Sequence, residues 1–147
     1  MRIAIDTNIL IYAQGVDDPQ RQQIATQVLE RVRDHDALLP VQVLGELFSV
    51  LVKRGYTRAQ AKVVVAHWRG LCSTIETTSA LFMQAVDLAV RHKLQIWDAL
   101  VLDAAADASC SILLSEDLQN GFVWRGVTVC NPFLAKPHRL IADLVRP

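Results

Sequence analysis

The chain has 147 residues, which is the usual length of one domain. Hydrophobic residues make up 52% of it and charged residues 20%, so a buried core is expected and a disordered chain is excluded. Fifteen lysines and arginines balance fifteen aspartates and glutamates, and this zero net charge argues against nucleic-acid binding through bulk charge while leaving room for a local basic rim.

The sequence lacks the patterns of membrane and exported proteins. The longest apolar stretch, 37–52, is interrupted by Pro40 and by polar residues, and no run approaches about 20 apolar residues. The apolar start of the chain contains Asp6 and no small-residue cleavage site, so we expect no signal peptide. The cysteines form no CxxC pair, and we expect reduced thiols in a cytoplasmic protein without a zinc site.

Short apolar strands alternate with amphipathic helices along the chain. The predicted strands cover residues 1–5, 37–39, 73–76, 111–114 and 127–129. The predicted helices cover residues 9–13, 20–33, 40–54, 58–69, 79–92 and 97–109. Pro40 is expected in the first turn of its helix, Gly55 ends that helix, and Thr57 caps the next one.

This alternation predicts an α/β fold with three layers. A short, mostly parallel central sheet of about five strands is expected, with helices on both faces, in a single domain that covers residues 1–147. Ligands of such sheets bind outside the carboxyl ends of the strands. That rule directs attention to Asp6, after the first strand, and to the segment 115–117, after the fourth.

Three of the acidic residues also have ordinary interpretations. Asp6 stands where a helix cap is expected, and Asp117 lies in a segment rich in turn-forming residues. Glu46 belongs to a narrow polar stripe on an otherwise apolar helix, made of residues 42, 45, 46, 49 and 53, which could simply face solvent. Because the stripe is narrow, we expect Glu46 in a cleft.

Asp98 is less easily explained. On the helix that begins at Trp97, it lies on the side of Val101 and Leu102, whereas Asp103 and Asp107 point to the opposite side, where a solvated face is expected. Its ordinary interpretation is a first-turn acid favoured by the helix dipole. A carboxylate on a packed face nevertheless needs a partner, and a cation is a common one.

The four carboxylates of Asp6, Glu46, Asp98 and Asp117 come from four separate elements that could converge above the strand ends. Carboxylate oxygens are hard ligands that suit Mg²⁺ or Mn²⁺. Sites of this kind support phosphodiester hydrolysis, because the ion lowers the pKa of a bound water and stabilises charge on the phosphate.

The same positions carry a family resemblance. The segments IDTNIL, LGEL with Glu46, IWDAL with Asp98, LLSEDLQNG with Asp117 and the closing VTVCNPF resemble PIN-domain ribonucleases over nearly the whole chain. They look most similar to the VapC-type toxins of bacterial toxin–antitoxin pairs. The order and spacing of these segments carry the resemblance, because DTN and SEDL are weak motifs individually.

The resemblance implies an endoribonuclease that depends on Mg²⁺ or Mn²⁺, forms a homodimer and is held inactive by a cognate antitoxin. It assigns Asp6, Glu46, Asp98 and Asp117 as the catalytic and metal-binding quartet, with Asn8 and Ser115 in support. Asp6 and Asp98 are the safest metal ligands. Candidates for a basic rim that contacts RNA are Arg21, Lys53, Arg54, Arg58 and Arg125, each of which could equally be an ordinary surface charge.

Two other classes of function stay open at this point. A phosphoaccepting or phosphatase-like α/β domain needs a second aspartate beside the first or a DxD arrangement, and the segment 6–8 supplies neither. Glycine-rich phosphate loops are also missing, which argues against nucleotide binding. A non-catalytic module with the same fold could bind a partner; the intact quartet argues against it.

Overall fold

The computed structural model describes residues 1–146, and a six-stranded sheet forms the centre of this part of the chain. The strand order is β3-β2-β1-β4-β6-β5, and every neighbouring pair is parallel except β5 with β6. The strands are β1 (Arg2–Ile5), β2 (Asp36–Pro40), β3 (Ser73–Ile75), β4 (Ile112–Leu114), β5 (Val123–Trp124) and β6 (Val127–Cys130).

Helices cover both faces of the sheet. Side chains alternate between the two faces of a strand, yet Ile3, Ala4 and Ile5 of β1 are all buried, as is every residue of β4. The predicted α/β fold with a mostly parallel sheet is therefore confirmed, with six strands where about five were expected.

The additional strand is β5, which pairs with β6 through a tight hairpin. The turn residues Arg125 and Gly126 both have positive φ, 45° and 87°, as a two-residue hairpin that matches the strand twist requires. Sequence patterning missed β5 because it has only two residues and its turn lacks the Asn-Gly or Asp-Gly signal.

Seven α-helices connect and flank the strands of the described chain; the six predicted helices agree closely with the structure, and the short last helix was not predicted. They are α1 (Thr7–Ala13), α2 (Pro19–Val32), α3 (Val41–Lys53), α4 (Arg58–Leu71), α5 (Ser79–His92), α6 (Ile96–Asp107) and α7 (Ala142–Val145). Pro40 was wrongly expected in the first turn of a helix; it ends β2 and caps α3. Within residues 1–146, no helix is both long and apolar enough to cross a lipid bilayer.

The side on which successive strands are added to the sheet changes at β1. From β1 the chain moves to β2 and β3 on one side, and it then returns to place β4 on the other side. A crevice forms outside the carboxyl ends of the strands at such a switch point. Asp6 and Ser115 directly follow β1 and β4, and the Asp6 N–H donates to the Leu114 carbonyl oxygen at 2.9 Å.

Helix α6 is buried on all sides, which overturns one expectation. Every residue from Ala99 to Ala106 is buried, and Asp103 is only 1% exposed, although it was expected on a solvated face. The helix packs against α3, α5 and the sheet, so its only well-solvated acid in the last turns is Asp107. Asp103 Oδ1 accepts hydrogen bonds from Trp124 Nε1 at 3.0 Å and Arg125 Nη1 at 3.1 Å, whereas its buried Oδ2 has no hydrogen-bond partner among residues 1–146.

Candidate active site

Asp6 lies at the centre of the site and is held by hydrogen bonds to both carboxylate oxygens. It caps α1 with Oδ1, which accepts from the Thr7 backbone N–H at 2.8 Å. Its Oδ2 accepts from the Ser115 hydroxyl at 2.6 Å and from Asn8 Nδ2 at 3.3 Å. The cap interpretation of Asp6 is thus correct, but it accounts for only one of the two oxygens.

The pKa of Asp6 is raised from its ordinary 3.8 to about 7. Burial is the main cause, since the residue is only 4% exposed and its charged form loses water. Hydrogen bonds from Ser115 and Thr7 lower the pKa, and repulsion from Asp117 and Glu46 raises it again. A buried carboxylate surrounded by further negative charge favours a proton or a cation.

Helix α1 connects Asp6 with two of the other acids. The Thr7 hydroxyl donates to Glu46 Oε2 at 2.7 Å, and Asn8 Nδ2 donates to Asp117 Oδ2 at 2.9 Å. Two successive residues of the DTN segment therefore reach α3 on one side and the loop after β4 on the other. Asn8 was predicted in a supporting position. Thr7 was not predicted, because its only signal in the sequence is its position between Asp6 and Asn8.

Glu46 is held in the cleft that its polar stripe predicts. Its Oε1 accepts from Gln42 Nε2 at 2.9 Å, one helical turn earlier on α3. Both residues line a groove of about 780 Å³, together with Asp117 from the loop after β4. The complete lining consists of Thr7, Asn8, Ile11, Val41, Gln42, Gly45, Glu46, Ser49, Val50, Lys53, Thr77 and Asp117.

Asp98 lies in the first turn of α6 and is half-buried. Its pKa is raised from 3.8 to about 6, first by burial and then by repulsion from Asp117 and Glu46, with no hydrogen bond to offset either effect. Asp98 therefore lies near the carboxylates of Asp117 and Glu46. Direct hydrogen bonds link Asp6, Glu46 and Asp117 through α1, whereas Asp98 approaches them without such a contact.

The acids are not arranged as a complete coordination sphere. Within residues 1–146, no three carboxylate, imidazole or thiol groups stand together as ligands of one ion. An ion bound here would complete its coordination with water, as divalent cations held by only one or two carboxylates do. The donors are hard oxygens, and burial followed by repulsion between the acids raises the pKa of Asp6 and Asp98.

Of the five basic candidates, only Lys53 lines the groove. Arg54 is paired with Asp17, Arg125 with Asp103, and Arg21 with Glu116. Arg58 is exposed in the first turn of α4. The groove therefore combines two acids with a single lysine.

A match to a known protein family covers the residues of this site. The model of the PIN domain matches residues 3–120, which is most of the chain and includes all four acids. The chain belongs to the PIN domain family. The expected family is thereby confirmed, and the search of curated proteins gives no match.

Solved structures share the fold of this PIN domain. VapC20 of Mycobacterium tuberculosis, described as a sarcin–ricin loop cleaving toxin, has 22% identity and a TM-score of 0.63 over 78% of this chain and 91% of that one. A toxin–antitoxin complex from Klebsiella pneumoniae has 20% identity and a TM-score of 0.65 over 89% and 98%. VapBC2 from Rickettsia felis, bound to a fragment of promoter DNA, has 16% identity and a TM-score of 0.60 over 78% and 86%.

Proposed function

We propose that this PIN domain is an endoribonuclease that requires Mg²⁺ or Mn²⁺ and acts as the toxin of a toxin–antitoxin pair. One observation carries the proposal: hydrogen bonds through α1 join Asp6, Glu46 and Asp117 at the switch point of the sheet beside an open groove, and Asp98 lies close enough to Asp117 and Glu46 to be repelled by them. The neighbour described as a sarcin–ricin loop cleaving toxin supports the choice of RNA.

In this proposal Asp6 and Asp98 are the direct ligands of the ion, and Glu46 and Asp117 complete the acidic site. The ion would supply a nucleophilic water of lowered pKa and positive charge at the phosphate. Asp6 has three of its roughly four acceptor positions filled by hydrogen bonds, which fixes its orientation and leaves room for one more bond.

In this proposal a bound cation offsets the repulsion between the acids and the phosphates of RNA. Arg21, one of the basic candidates, is already paired with Glu116. Lys53 lies on the same face of α3 as Glu46, seven residues and therefore about 10 Å along the helix. A single strand that crosses the site would reach Lys53 with a neighbouring phosphate.

The groove favours a single-stranded substrate. It is open, and its lining combines apolar side chains, among them Ile11, Val41 and Val50, with polar ones. Unpaired bases can pack on such apolar side chains while the backbone contacts the polar residues. In a duplex the bases are paired with each other and are less able to make these contacts.

We also propose an antitoxin partner, a homodimer and a location in the cytoplasm. The Klebsiella neighbour is a toxin–antitoxin complex, which supports the partner. Large apolar side chains remain exposed, including Met83 at 58% and Val90 at 77%, seven residues apart on α5, and burial against a second copy would remove them from water. Light scattering at micromolar concentration should give the mass of a dimer, and a monomer would contradict that part.

Incubation with total bacterial RNA tests the activity. The purified chain should produce internal cuts in the presence of Mg²⁺ or Mn²⁺ and none in EDTA. The variant Asp6→Asn/Asp98→Asn, refolded and checked by its thermal melt, is the matched control. Absence of cleavage under all conditions would favour a non-catalytic module, and cleavage in EDTA would exclude a metal-dependent reaction.

A further inference from the structure

Glu116 stands between two residues of the site, Ser115 and Asp117, but its own side chain is bound elsewhere. The Tyr12 hydroxyl donates a hydrogen bond to its Oε1, and Arg21 Nη1 donates to its Oε2. Arg21 Nη1 also donates to the Tyr12 hydroxyl at 2.8 Å. Both carboxylate oxygens of Glu116 are thus engaged by a phenol and a guanidinium that themselves touch each other.

Aromatic rings hold Arg21 in this position. Its guanidinium carbon lies 5.2 Å from the ring centre of Tyr12 and 5.4 Å from that of Phe133, and these two rings meet edge to face at 5.1 Å. Asp18, the N-cap of α2, lies 3.7 Å from Arg21 Nε. We call Tyr12, Arg21, Glu116 and Phe133 the clamp.

The clamp and the acidic site contact the same turn, residues 115–117, from two sides. Asn8 and Tyr12 are four residues apart and therefore lie on one face of α1. Asn8 Oδ1 accepts from the Glu116 N–H at 3.4 Å, and its Nδ2 holds Asp117, while Tyr12 holds the Glu116 side chain. The Asp117 N–H then donates to Ser115 Oγ at 3.2 Å.

A second link ties the clamp to the loop after β4. Asn120 Oδ1 accepts from the Asn131 N–H at 2.9 Å, and Asn131 Oδ1 accepts from the Phe133 N–H at 2.9 Å. The SEDLQNG and NPF segments, which both carry the family resemblance, are therefore parts of one hydrogen-bonded unit.

We infer that Tyr12, Arg21 and Glu116 are positioning residues that fix Ser115 and Asp117 in the acidic site, and that Glu116 is not itself a metal ligand. The inference rests on the proposed function for its effect on catalysis. Pairing with Arg21 also neutralises a fifth carboxylate beside the quartet. Without the clamp, Glu116 would be free to turn toward the site as a competing anion.

Tyr12→Phe tests the inference with the least disturbance, because the ring that packs on Phe133 remains. We expect kcat to fall about tenfold, since misplacing a reacting group by about 1 Å can cost up to 100-fold, while KM for RNA stays within about twofold. Arg21→Met should behave alike. Because both act through Glu116, the double variant should lose no more than about twofold beyond the worse single variant.

Two readouts do not depend on RNA cleavage. Amide hydrogen exchange at Asp117 should become at least about tenfold faster in Tyr12→Phe while the amide of Leu113, inside β4, is unchanged. The Kd for Mn²⁺, measured by water-proton relaxation, should rise several-fold. If the wild-type chain cleaves no RNA but exchange at Asp117 responds, the proposed function fails and the positioning role stands.

Arg2→Met is the matched control. Arg2 forms an exposed pair with Asp36 at the opposite edge of the sheet, with Nε 3.0 Å from Oδ2, so its loss should leave kcat, Mn²⁺ affinity and Asp117 exchange unchanged. Unaltered exchange and Mn²⁺ affinity in both clamp variants, with thermal melts like the wild type, would overturn the inference even if the wild-type enzyme is active. Equal losses in Arg2→Met would also overturn it.

Discussion

The hydroxyl of Ser115 donates a 2.6 Å hydrogen bond to Oδ2 of Asp6, and so connects the ends of β4 and β1 across the switch point of the sheet. Both residues are buried, so the bond is shielded from competing water. It favours the ionised form of Asp6 and lowers a pKa that burial raises.

Ser115→Ala should therefore raise the pKa of Asp6 beyond about 7 and weaken Mn²⁺ binding at neutral pH. Each unit added to the pKa lowers the ionised fraction about tenfold when the pH is below the pKa. The difference in Mn²⁺ affinity between Ser115→Ala and the wild type should therefore be smaller at pH 9. Mn²⁺ relaxation titrations at three pH values measure this. Ser111→Ala, an exposed serine just before β4, is the control; identical pH profiles for Ser115→Ala and wild type would contradict the role of the bond.

The metal-free protein should lose stability as the pH rises. Because the pKa of Asp6 is raised from 3.8 to about 7, the folded chain binds this proton more tightly, and the stabilisation is complete below pH 3.8 and lost as the pH rises through 7. Between pH 5 and pH 8 this residue should lower the free energy of unfolding by about 2–3 kcal/mol. Urea unfolding in EDTA measures the change.

Asp6→Asn should remove the larger part of the pH dependence, since the amide does not titrate, and Asp98, whose pKa is raised to about 6, adds a smaller change in the same direction. Asp34→Asn, an exposed position before β2, should leave the dependence as in the wild type. A metal-free protein that is equally stable at pH 5 and pH 8, or more stable at pH 8, would show that folding does not raise the pKa of Asp6.

Asp98→Asn should separate catalysis from folding. The substitution removes a carboxylate that is repelled by Asp117 and Glu46, so the metal-free protein should melt at the same temperature or higher. RNA cleavage should fall by at least about 100-fold, the loss typical of a group that stabilises transition-state charge. Asp107→Asn, exposed on the same helix, is the control and should stay active. An active Asp98→Asn enzyme, or one that is inactive because it unfolds, would contradict the assignment.

Asp103→Ala should damage the fold rather than the chemistry. It leaves the Trp124 indole N–H and Arg125 without their buried acceptor, at a cost of about 1–3 kcal/mol. At a temperature where the variant is folded, cleavage should match the wild type. A variant as stable as the wild type would show that the contacts of Asp103 contribute nothing to stability.

The fold could be predicted because it follows from local patterns, and so could the position of Asp6 and of the 115–117 segment at the strand ends. In the sequence, the spacing of apolar residues marks strands of three to five residues and amphipathic helices. The rule that ligands bind outside the carboxyl ends of parallel strands then selects Asp6 and the 115–117 segment. Asp103 was misplaced because α6 is buried on all sides, and a helix without a polar face gives no reliable direction for its acids. The surrounding helices, not the spacing within α6, decide its exposure.

The clamp could not be predicted for a different reason. Tyr12, Arg21 and Phe133 are far from Glu116 in sequence, and each reads alone as an ordinary surface or core residue. The β5 hairpin brings Arg125 onto Asp103 in the same way. Such contacts arise only from the packing of separate elements, so they become visible with the structure.

Binding of Mn²⁺ to the wild-type chain and to Asp6→Asn/Asp98→Asn, followed by water-proton relaxation at pH 8, measures whether these acids hold a metal ion. We predict weak saturable binding by the wild type at a site with retained waters, and loss of that binding in a double variant that melts cooperatively in EDTA. Wild-type-like binding by the double variant would show that the acids at the ends of β1 and at the start of α6 do not hold the ion.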